Sequence, residues 1–320
     1  MPNPTRGDVH VNMPLTQISI AYIQNQLNFI ADKVFPNIPV NKQSDRYFVY
    51  TKDDWHRSES QMRAPATESA GGGFRIDNTP TYFANVYAIH KDVDDQIRAN
   101  ADAPINMDRD ATEYVTQQLL IKREEVWAAN YFTTGIWTTQ KQGTTHYTKW
   151  DAANSTPVED ITTQGITIGQ LTGFKPNTLV LSPFVFNALK NNADVLDRIK
   201  YTQKGVVTTD ILANLFEVDR VLIAMGIKNT AAEGATATND FIVSNKAALL
   251  CYANPRPSIL TPSAGYTFSW TGLVGAGVAG TRIKRFRMEE LESDRVEGES
   301  AFDLKLVSAD LGCYFYDAIT

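Results

Sequence analysis

The sequence has 320 residues, of which 43% are apolar and 10% aromatic, so it can build about two domains with hydrophobic cores. Thirty basic and 36 acidic residues give a net charge of −6, which argues against a high-affinity nucleic-acid binder dominated by phosphate contacts but is compatible with a protein that merely encloses DNA. The N-terminus lacks the apolar core of a signal peptide, and no stretch approaches the roughly 18 apolar residues of a membrane span, so we expect a soluble intracellular product.

Residues 1–41 are rich in proline and contain one short segment with helical spacing, from Thr16 to Val34. We interpret this region as an N-terminal arm with one docking helix. Its prolines are Pro2, Pro4, Pro14, Pro36 and Pro39.

The next segment predicts a long β-hairpin. Ser44 to Glu59 and Phe74 to His90 are rich in β-branched and aromatic residues, and they flank a glycine-rich tip at Met62 to Gly73. Fourteen or so residues per strand would reach roughly 45 Å, and so long a two-stranded arm needs a partner along its length. We therefore expect contacts with neighbouring copies from six arm residues: Trp55, Arg57, Glu59, Arg63, Glu68 and Arg75.

A long helix is predicted from Asp108 to Thr133, because Asp110 followed by Glu113 resembles a capping box. Its apolar residues form two stripes on opposite sides. One stripe contains Ala111, Tyr114, Val115, Leu119, Ile121, Val126, Ala129 and Phe132, and the other contains Leu120, Trp127 and Tyr131. Such a helix is either sandwiched inside its own domain or contacts a second copy through Trp127.

From Phe174 to Met225 the pattern alternates between strands and helices, which predicts a second, mixed α/β domain. The stretch from Tyr266 onward predicts strands alone. Cys251 and Cys313 lie in apolar or aromatic sequence, as expected of buried reduced thiols, so we do not expect a disulfide.

A glycine motif at Gly275, Gly277 and Gly280 fits a dinucleotide-binding fingerprint, which keeps a nicotinamide-dependent oxidoreductase as a distant alternative. The fingerprint requires a following helix, and the TRIKRF segment that follows has no helical apolar stripe. We therefore interpret these glycines as a backbone hinge.

Residues 282–299 separate their charges, with a basic half followed by an acidic half. A solvated strand surface is one explanation. The alternative is a self-complementary edge between copies, with candidate contacts at Arg285, Arg287, Glu289 and Glu290.

No segment predicts a catalytic, cofactor or metal site. The four histidines are scattered, and Asp92, Asp94 and Asp95 resemble a calcium loop that has Ile97 where glycine is required. The absence of motifs does not exclude catalysis, because a site can be assembled from distant residues, but no segment of this sequence proposes one.

The order of these parts resembles the major capsid proteins of tailed bacteriophages with the Hong Kong 97-like fold, over essentially the whole chain. The stretches that carry the resemblance are residues 177–226, from NTLVLSPF to VLIAMG, and residues 307–319, VSADLGCYFYDAI.

The resemblance implies an α+β fold with an N-terminal arm, an extended β-hairpin loop, a peripheral domain with a long spine helix and a mixed α/β axial domain. The implied boundaries are 1–41 for the arm, 42–90 for the hairpin loop, 91–168 for the peripheral domain with its spine helix at 108–133, 169–281 for the axial domain, 282–303 for strands returning to the periphery, and 304–320 for a C-terminal strand.

The implied function is a shell subunit that assembles as hexamers and pentamers around double-stranded DNA in the host cytoplasm, with no enzyme activity and no cofactor. Implied partners are a separate scaffolding protein, a portal and a decoration protein. Some family members crosslink their subunits through a loop lysine. Lys52 lies in the loop, but no asparagine partner is marked, so crosslinking is not expected. The nearest alternative is an encapsulin-like nanocompartment shell protein.

Overall fold

The computed structural model describes residues 24–101, 105–200, 207–243, 246–257, 261–273, 277 and 280–320. The α-helices in these ranges are α1 Ala31–Val34, α2 Lys52–Trp55, α3 Asp95–Ala99, α4 Met107–Tyr131, α5 Pro157–Thr172, α6 Pro183–Lys190, α7 Ala193–Ile199 and α8 Thr209–Leu215. The strands are β1 Asn37–Val40, β2 Ser44–Arg46, β3 Val49–Tyr50, β4 Ile76–Asp77, β5 Thr81–Phe83, β6 Asn85–Asp94, β7 Thr139–Gln142, β8 Thr178–Leu181, β9 Arg220–Ile223, β10 Ile227–Asn229, β11 Asn239–Phe241, β12 Ala248–Cys251, β13 Gly265–Trp270, β14 Thr281–Met288, β15 Ser293–Leu306 and β16 Gly312–Tyr316.

The first five-stranded sheet is organised around β15, which is 14 residues long. β14 pairs with the first half of β15 and β13 with its second half, while β6 runs antiparallel along the opposite edge. β1 joins the sheet in parallel to β13. Helix α4 crosses this sheet at Gly298, where a Cβ atom would stand 2.2 Å from Val115 Cγ1. Glycine at this position therefore lets the helix approach the sheet closely.

The second sheet has the strand order β7-β16-β12-β8-β9. Successive side chains of its central strands face two different hydrophobic cores, because side chains alternate across a strand. Leu179, Leu181 and Leu250 face the core formed with helices α5 to α8. Val180 and Leu249 face the core that α4 and α1 share. The sheet is consequently buried on both faces, as its continuous apolar strands predict.

Helix α4 begins earlier than the predicted capping box at Asp110 implies. Its N-cap is Asn106, whose side chain accepts a hydrogen bond from the backbone N–H of Arg109 at 3.1 Å. The buried positions follow a four-residue spacing, at Ala111, Val115, Leu119, Arg123 and Trp127, with Glu124 beside them. Tyr114 and Ala129, both expected in the buried arc, are exposed.

The pattern of residues 182–200 predicts one helix, whereas the structure has two in this stretch, α6 and α7. Asn192 ends the continuity because its side chain accepts hydrogen bonds from the backbone N–H groups of Asp194 and Val195, which makes it the N-cap of α7. The first part of the predicted N-terminal helix, residues 16–23, lies outside the described residues. Its remainder forms a short 3₁₀ turn at Gln26–Asn28 and α1.

Both cysteines are buried free thiols, as predicted, and burial raises the pKa of each to about 12. They lie on the neighbouring strands β12 and β16. Thiols with such high pKa values remain protonated and act as small apolar side chains.

The two sheets are built from interleaved parts of the chain. β13, which falls in the predicted axial segment 169–281, lies in the first sheet beside β15. β7, which falls in the predicted peripheral segment 91–168, lies in the second sheet beside β16. The chain therefore crosses between the sheets more often than the predicted boundaries imply.

Among the described helices, none combines the length and apolar character that a membrane crossing requires.

Candidate assembly surface

The prediction of a hairpin with two strands of about 14 residues each is wrong. The arm, residues 43–83, contains two short ladders, β2 with β5 and β3 with β4, separated from the tip by helix α2. Pro80 interrupts the second half because it has no N–H for a ladder. β6, expected in the arm up to His90, instead pairs with β15 in the first sheet.

The root of the arm is fixed to the first sheet by aromatic stacking. Tyr82 stacks on Phe268, with ring centroids 4.7 Å apart and planes 12° apart, and Tyr47 contacts the same ring at 5.3 Å. The backbone N–H of Phe83 donates to Asp303 at 2.8 Å. These contacts give the arm a defined starting direction.

A second attachment lies at α2, where the Lys52 ammonium forms an ion pair with Asp310. The hydrogen bond from Lys52 lowers the pKa of the Asp310 carboxyl. Lys52 is thus engaged within its own chain. The sequence offered no signal for this pair, because 258 positions separate its members.

The two sides of the arm are tied together by Arg75 and Asp54. The guanidinium Nε and a terminal nitrogen of Arg75 donate to the two carboxylate oxygens of Asp54 at 3.0 and 3.2 Å. The backbone N–H of Arg75 also donates to this carboxylate at 3.0 Å, and the pKa of Asp54 is lowered mainly by the side-chain hydrogen bond. Arg75, predicted as a contact to a neighbour, therefore braces the arm itself.

Three aromatic rings form a cluster on the outer part of the arm. Trp55 lies 5.4 Å from Phe74 and 6.0 Å from Tyr50, between ring centroids. Trp55 and Phe74 nevertheless remain 56% exposed, because no other element in the described part of the chain covers them. Phe48, Met62, Ile76 and Phe83, which also belong to residues 43–83, are exposed as well. Adjacent exposed apolar groups of this kind mark an interaction surface.

The tip has no regular secondary structure, and residues 60–79 are all exposed. Arg57 lies 3.8 Å from Glu59, and Arg63 donates to the backbone oxygen of Thr67. Glu68 is exposed in the same loop. Arg57, Glu59, Arg63 and Glu68 thus lie in the irregular part of the arm, and their contacts with a neighbouring copy remain a prediction.

Trp127 does not belong to this surface. Its side chain is completely buried, 6.4 Å from the Phe35 ring and 5.8 Å from the Phe132 ring. The prediction of a contact to another copy through Trp127 is wrong, and the alternative of a helix packed within its own subunit is confirmed. The reason is that β15 covers one side of α4 while α1 and Phe35 cover the other.

The basic and acidic halves of residues 282–299 pair within one chain, because β14 and β15 are adjacent antiparallel strands. Lys284 lies 2.8 Å from Glu297, and Arg285 pairs with Asp294. Arg287 lies 2.6 Å from Asp95 on α3. This internal pairing replaces the predicted pairing between copies for Arg285 and Arg287.

Glu289 and Glu290 lie in the turn between the two strands. Glu289 is 3.7 Å from Arg287, and both carboxylates are exposed. They remain candidates for contact with a neighbour.

The glycine segment joins β13 to β14, so a strand follows it where a dinucleotide site requires a helix. Gly275 lies outside the described residues. Gly280 has φ of +65°, and a Cβ there would stand 2.5 Å from the carbonyl oxygen of Ala301, whereas a Cβ at Gly277 would lie 3.8 Å from its nearest neighbour, the carbonyl oxygen of Thr281. Steric contacts therefore require glycine at position 280. The backbone hinge at Gly275, Gly277 and Gly280 remains a prediction.

The acidic residues weighed as a calcium loop have other partners. Asp92 forms two hydrogen bonds with Arg295, Asp94 caps α3, and Asp95 pairs with Arg287. Within the described part of the chain, no group of histidine, cysteine and acidic residues is arranged to hold a metal ion.

Comparison with curated proteins finds two phage relatives. The chain is 24% identical over 316 residues to the major capsid protein of Burkholderia phage BcepMu, with 94% of each chain covered. It is 24% identical to the major capsid protein of Pseudomonas phage JBD67, with 97% of each chain covered. No family model matches the sequence.

Comparison with solved structures gives the fold. A phage-related protein from Bordetella bronchiseptica RB50 matches with a TM-score of 0.69 at 21% identity, covering 92% of this chain and 94% of that chain. The capsid protein of Cyanophage P-SCSP1u matches at 0.59 and 12% identity over 98% of each chain. The SrpI encapsulin of Synechococcus elongatus PCC 7942 also matches at 0.59, at 11% identity over 97% of this chain and 94% of that chain.

The encapsulin match shows that the fold alone does not separate the two kinds of shell, whereas the curated sequence relatives are both phage proteins. The chain therefore has the Hong Kong 97-like fold, and it is similar along almost its whole length to two phage major capsid proteins.

Proposed function

We propose that this subunit assembles as hexamers and pentamers into the icosahedral head shell of a tailed phage, which encloses double-stranded DNA. The observation that carries the proposal is the arm: its root is fixed on Phe268 and Asp303, while Trp55, Phe74 and Met62 are left exposed. A surface held in a fixed direction yet uncovered by its own chain suits docking onto a neighbouring subunit.

Closed symmetry makes such docking effective. Each subunit of a shell offers the same arm and the same receiving surface, so contacts repeat around every symmetry axis. Exposed charge pairs, such as those that Arg57 and Glu68 can form, are worth about 0–1 kcal/mol each. Strength in the proposed shell comes from the apolar contacts and from repetition at high effective concentration.

The further partners are a separate scaffolding protein, a portal and a decoration protein, with assembly in the cytoplasm of the bacterial host. The resemblance to tailed-phage capsid proteins supports them. The net charge of −6 supports enclosure of DNA without tight phosphate binding.

The second candidate is a cellular nanocompartment shell, favoured by the encapsulin match over 97% of the chain. The two candidates differ in what the particle contains. Nuclease-protected double-stranded DNA in the natural particle supports the phage head, and an enclosed cargo enzyme supports the compartment.

The proposal is tested by electron microscopy of the purified chain under assembly conditions. We expect closed shells with fivefold and sixfold capsomers from the wild type. We expect soluble, folded subunits without shells from Trp55→Ser combined with Phe74→Ser, because both side chains are exposed in the single chain. Gln61→Ser, an exposed polar change in the same arm, is the matched control. Normal shells from the double variant would contradict the proposed role of this surface.

A further inference from the structure

The side chain of Glu124 links helix α4 to residues 30 and 31, at the start of helix α1. Its carboxylate oxygen Oε2 accepts hydrogen bonds from the backbone N–H groups of Ile30 at 3.0 Å and Ala31 at 2.9 Å. These N–H groups lie at the start of α1, where a helix has no internal acceptor for them. One side chain of α4 thus caps a helix 93 positions away in the sequence.

The position is unusual for a carboxyl group because Glu124 is only 1% exposed. Its second oxygen, Oε1, has no hydrogen-bond partner among the described residues. Glu124 lines a pocket of about 170 Å³ between α4 and residues 26–33. Burial raises the pKa of the Glu124 carboxyl to about 7, against the lowering effect of the two backbone hydrogen bonds.

The charged groups around Glu124 come from three elements. On α1, Asp32 raises the pKa of Glu124, and Lys33 lowers it. On α4, Arg123 donates to Asp32 at 2.9 Å. On β9, Arg220 donates to the backbone oxygen of Lys33 at 2.7 Å. Burial has the largest effect on the pKa of Glu124. The carboxyl therefore titrates near neutral pH despite the charged groups around it.

We propose that Glu124 is a pH-sensitive anchor that holds residues 24–35 on the spine helix while its carboxyl is neutral and loosens them when it ionises. The neutral carboxyl still offers Oε2 to both N–H groups, so the cap does not need the charge. The ionised carboxyl places a charge on a buried side chain whose Oε1 has no donor among the described residues, which is costly.

The direction follows from linkage. The pKa of Glu124 is higher in the docked state than the ordinary value of 4.5, so docking is most stable at low pH and weakens as pH rises through about 7. With those two values, the docking equilibrium weakens about tenfold between pH 6 and pH 8.5. Residues 24–35 would then be held tightly in mildly acidic solution and more loosely in alkaline solution.

The experiment is hydrogen exchange of the full chain, read by mass spectrometry on peptides covering residues 24–35 at pH 6 and pH 8.5 and corrected for the intrinsic exchange rate. We expect protection of these residues in the wild type to fall about tenfold, while strand β8 shows no such change. Equal protection of residues 24–35 at both pH values in the wild type would overturn the proposal without any variant.

Glu124→Gln keeps an oxygen for both N–H groups and cannot ionise, so its protection should be independent of pH. Glu125→Gln is the matched control, because Glu125 pairs instead with Lys122 and Lys228 and should retain the wild-type fall. Asp32→Asn should move the transition to lower pH, since the Asp32 charge raises the pKa of Glu124. A wild-type pH dependence in Glu124→Gln would assign the effect to another group and overturn the proposal.

Discussion

Tyr82 of the arm lies flat on Phe268 of the first sheet, with ring centroids 4.7 Å apart and planes inclined by 12°. This stack joins residues that are far apart in the sequence. It fixes the base of the arm on the first sheet, although the arm itself has little regular structure. An exposed surface on such an arm can present the same geometry in every copy of the subunit.

Phe268→Ala should therefore destabilise the subunit by about 3–5 kcal/mol, because Phe268 is buried and contacts both Tyr47 and Tyr82. Urea unfolding measures this change, and proteolysis within the arm should accelerate in parallel. Tyr82→Phe keeps the stack and serves as the control. Unchanged proteolysis of the arm in Phe268→Ala would show that this stack does not fix the arm.

Trp127 and Trp55 should behave in opposite ways. Trp127→Ala removes a fully buried ring from the core and should cost about 3–5 kcal/mol of folding stability. Trp55→Ala removes an exposed ring and should leave stability within about 0.5 kcal/mol while it reduces shell formation. Chemical denaturation and electron microscopy on both variants separate the two roles. A large loss of stability in Trp55→Ala would place that ring in the core of the single subunit.

Replacing residues 60–73 by a short turn should leave a folded, soluble subunit and abolish closed particles. The replaced residues are exposed and contribute no buried side chain to the core, and Arg75 with its partner Asp54 is retained to hold the arm. Circular dichroism and size-exclusion chromatography report on folding, and electron microscopy reports on shells. Intact shells from this variant would refute an essential role for the tip.

Gly280→Ala should destabilise the subunit by about 1–3 kcal/mol, because φ is +65° and the new Cβ would meet the Ala301 carbonyl at 2.5 Å. Gly277→Ala is the control, since its nearest neighbour would be 3.8 Å away. Thermal unfolding compares the two. Equal melting temperatures would show that the backbone at Gly280 adapts without cost.

Acid should weaken the ion-pair cluster around Asp294. Hydrogen bonds from Arg285 and then Arg98 hold the pKa of Asp294 at about 2, below its ordinary 3.8. Because the folded-state pKa is the lower one, this stabilisation is present above pH 3.8 and is lost as pH falls towards 2. The urea midpoint of Asp294→Asn should lie below that of the wild type at pH 6, and the gap should narrow at pH 2.5. A gap independent of pH would exclude titration of Asp294 as its source.

The sequence determined much of this protein without help from tertiary structure. The apolar run at residues 178–181 identified a buried strand, and helical spacing found the 25-residue helix α4 to within two residues at each end. Local composition also placed the glycine-rich tip in an exposed loop and both cysteines in the core. These features depend on period and burial, which neighbouring residues encode.

Tertiary structure decided which partner each ambiguous surface meets. Periodicity showed that α4 packs against other elements on two opposite sides. Only the folded chain shows that α1 and Phe35 cover the side that carries Trp127. The charge pattern of residues 282–299 was visible in the sequence. Only the pairing of β14 with β15 shows that its basic and acidic halves lie opposite each other within one chain. Glu124 gave no sequence signal, because its role depends on burial and on two N–H groups 93 and 94 positions away. Local sequence fixes the shape of an element, whereas contacts between distant residues depend on the free energy of the whole fold.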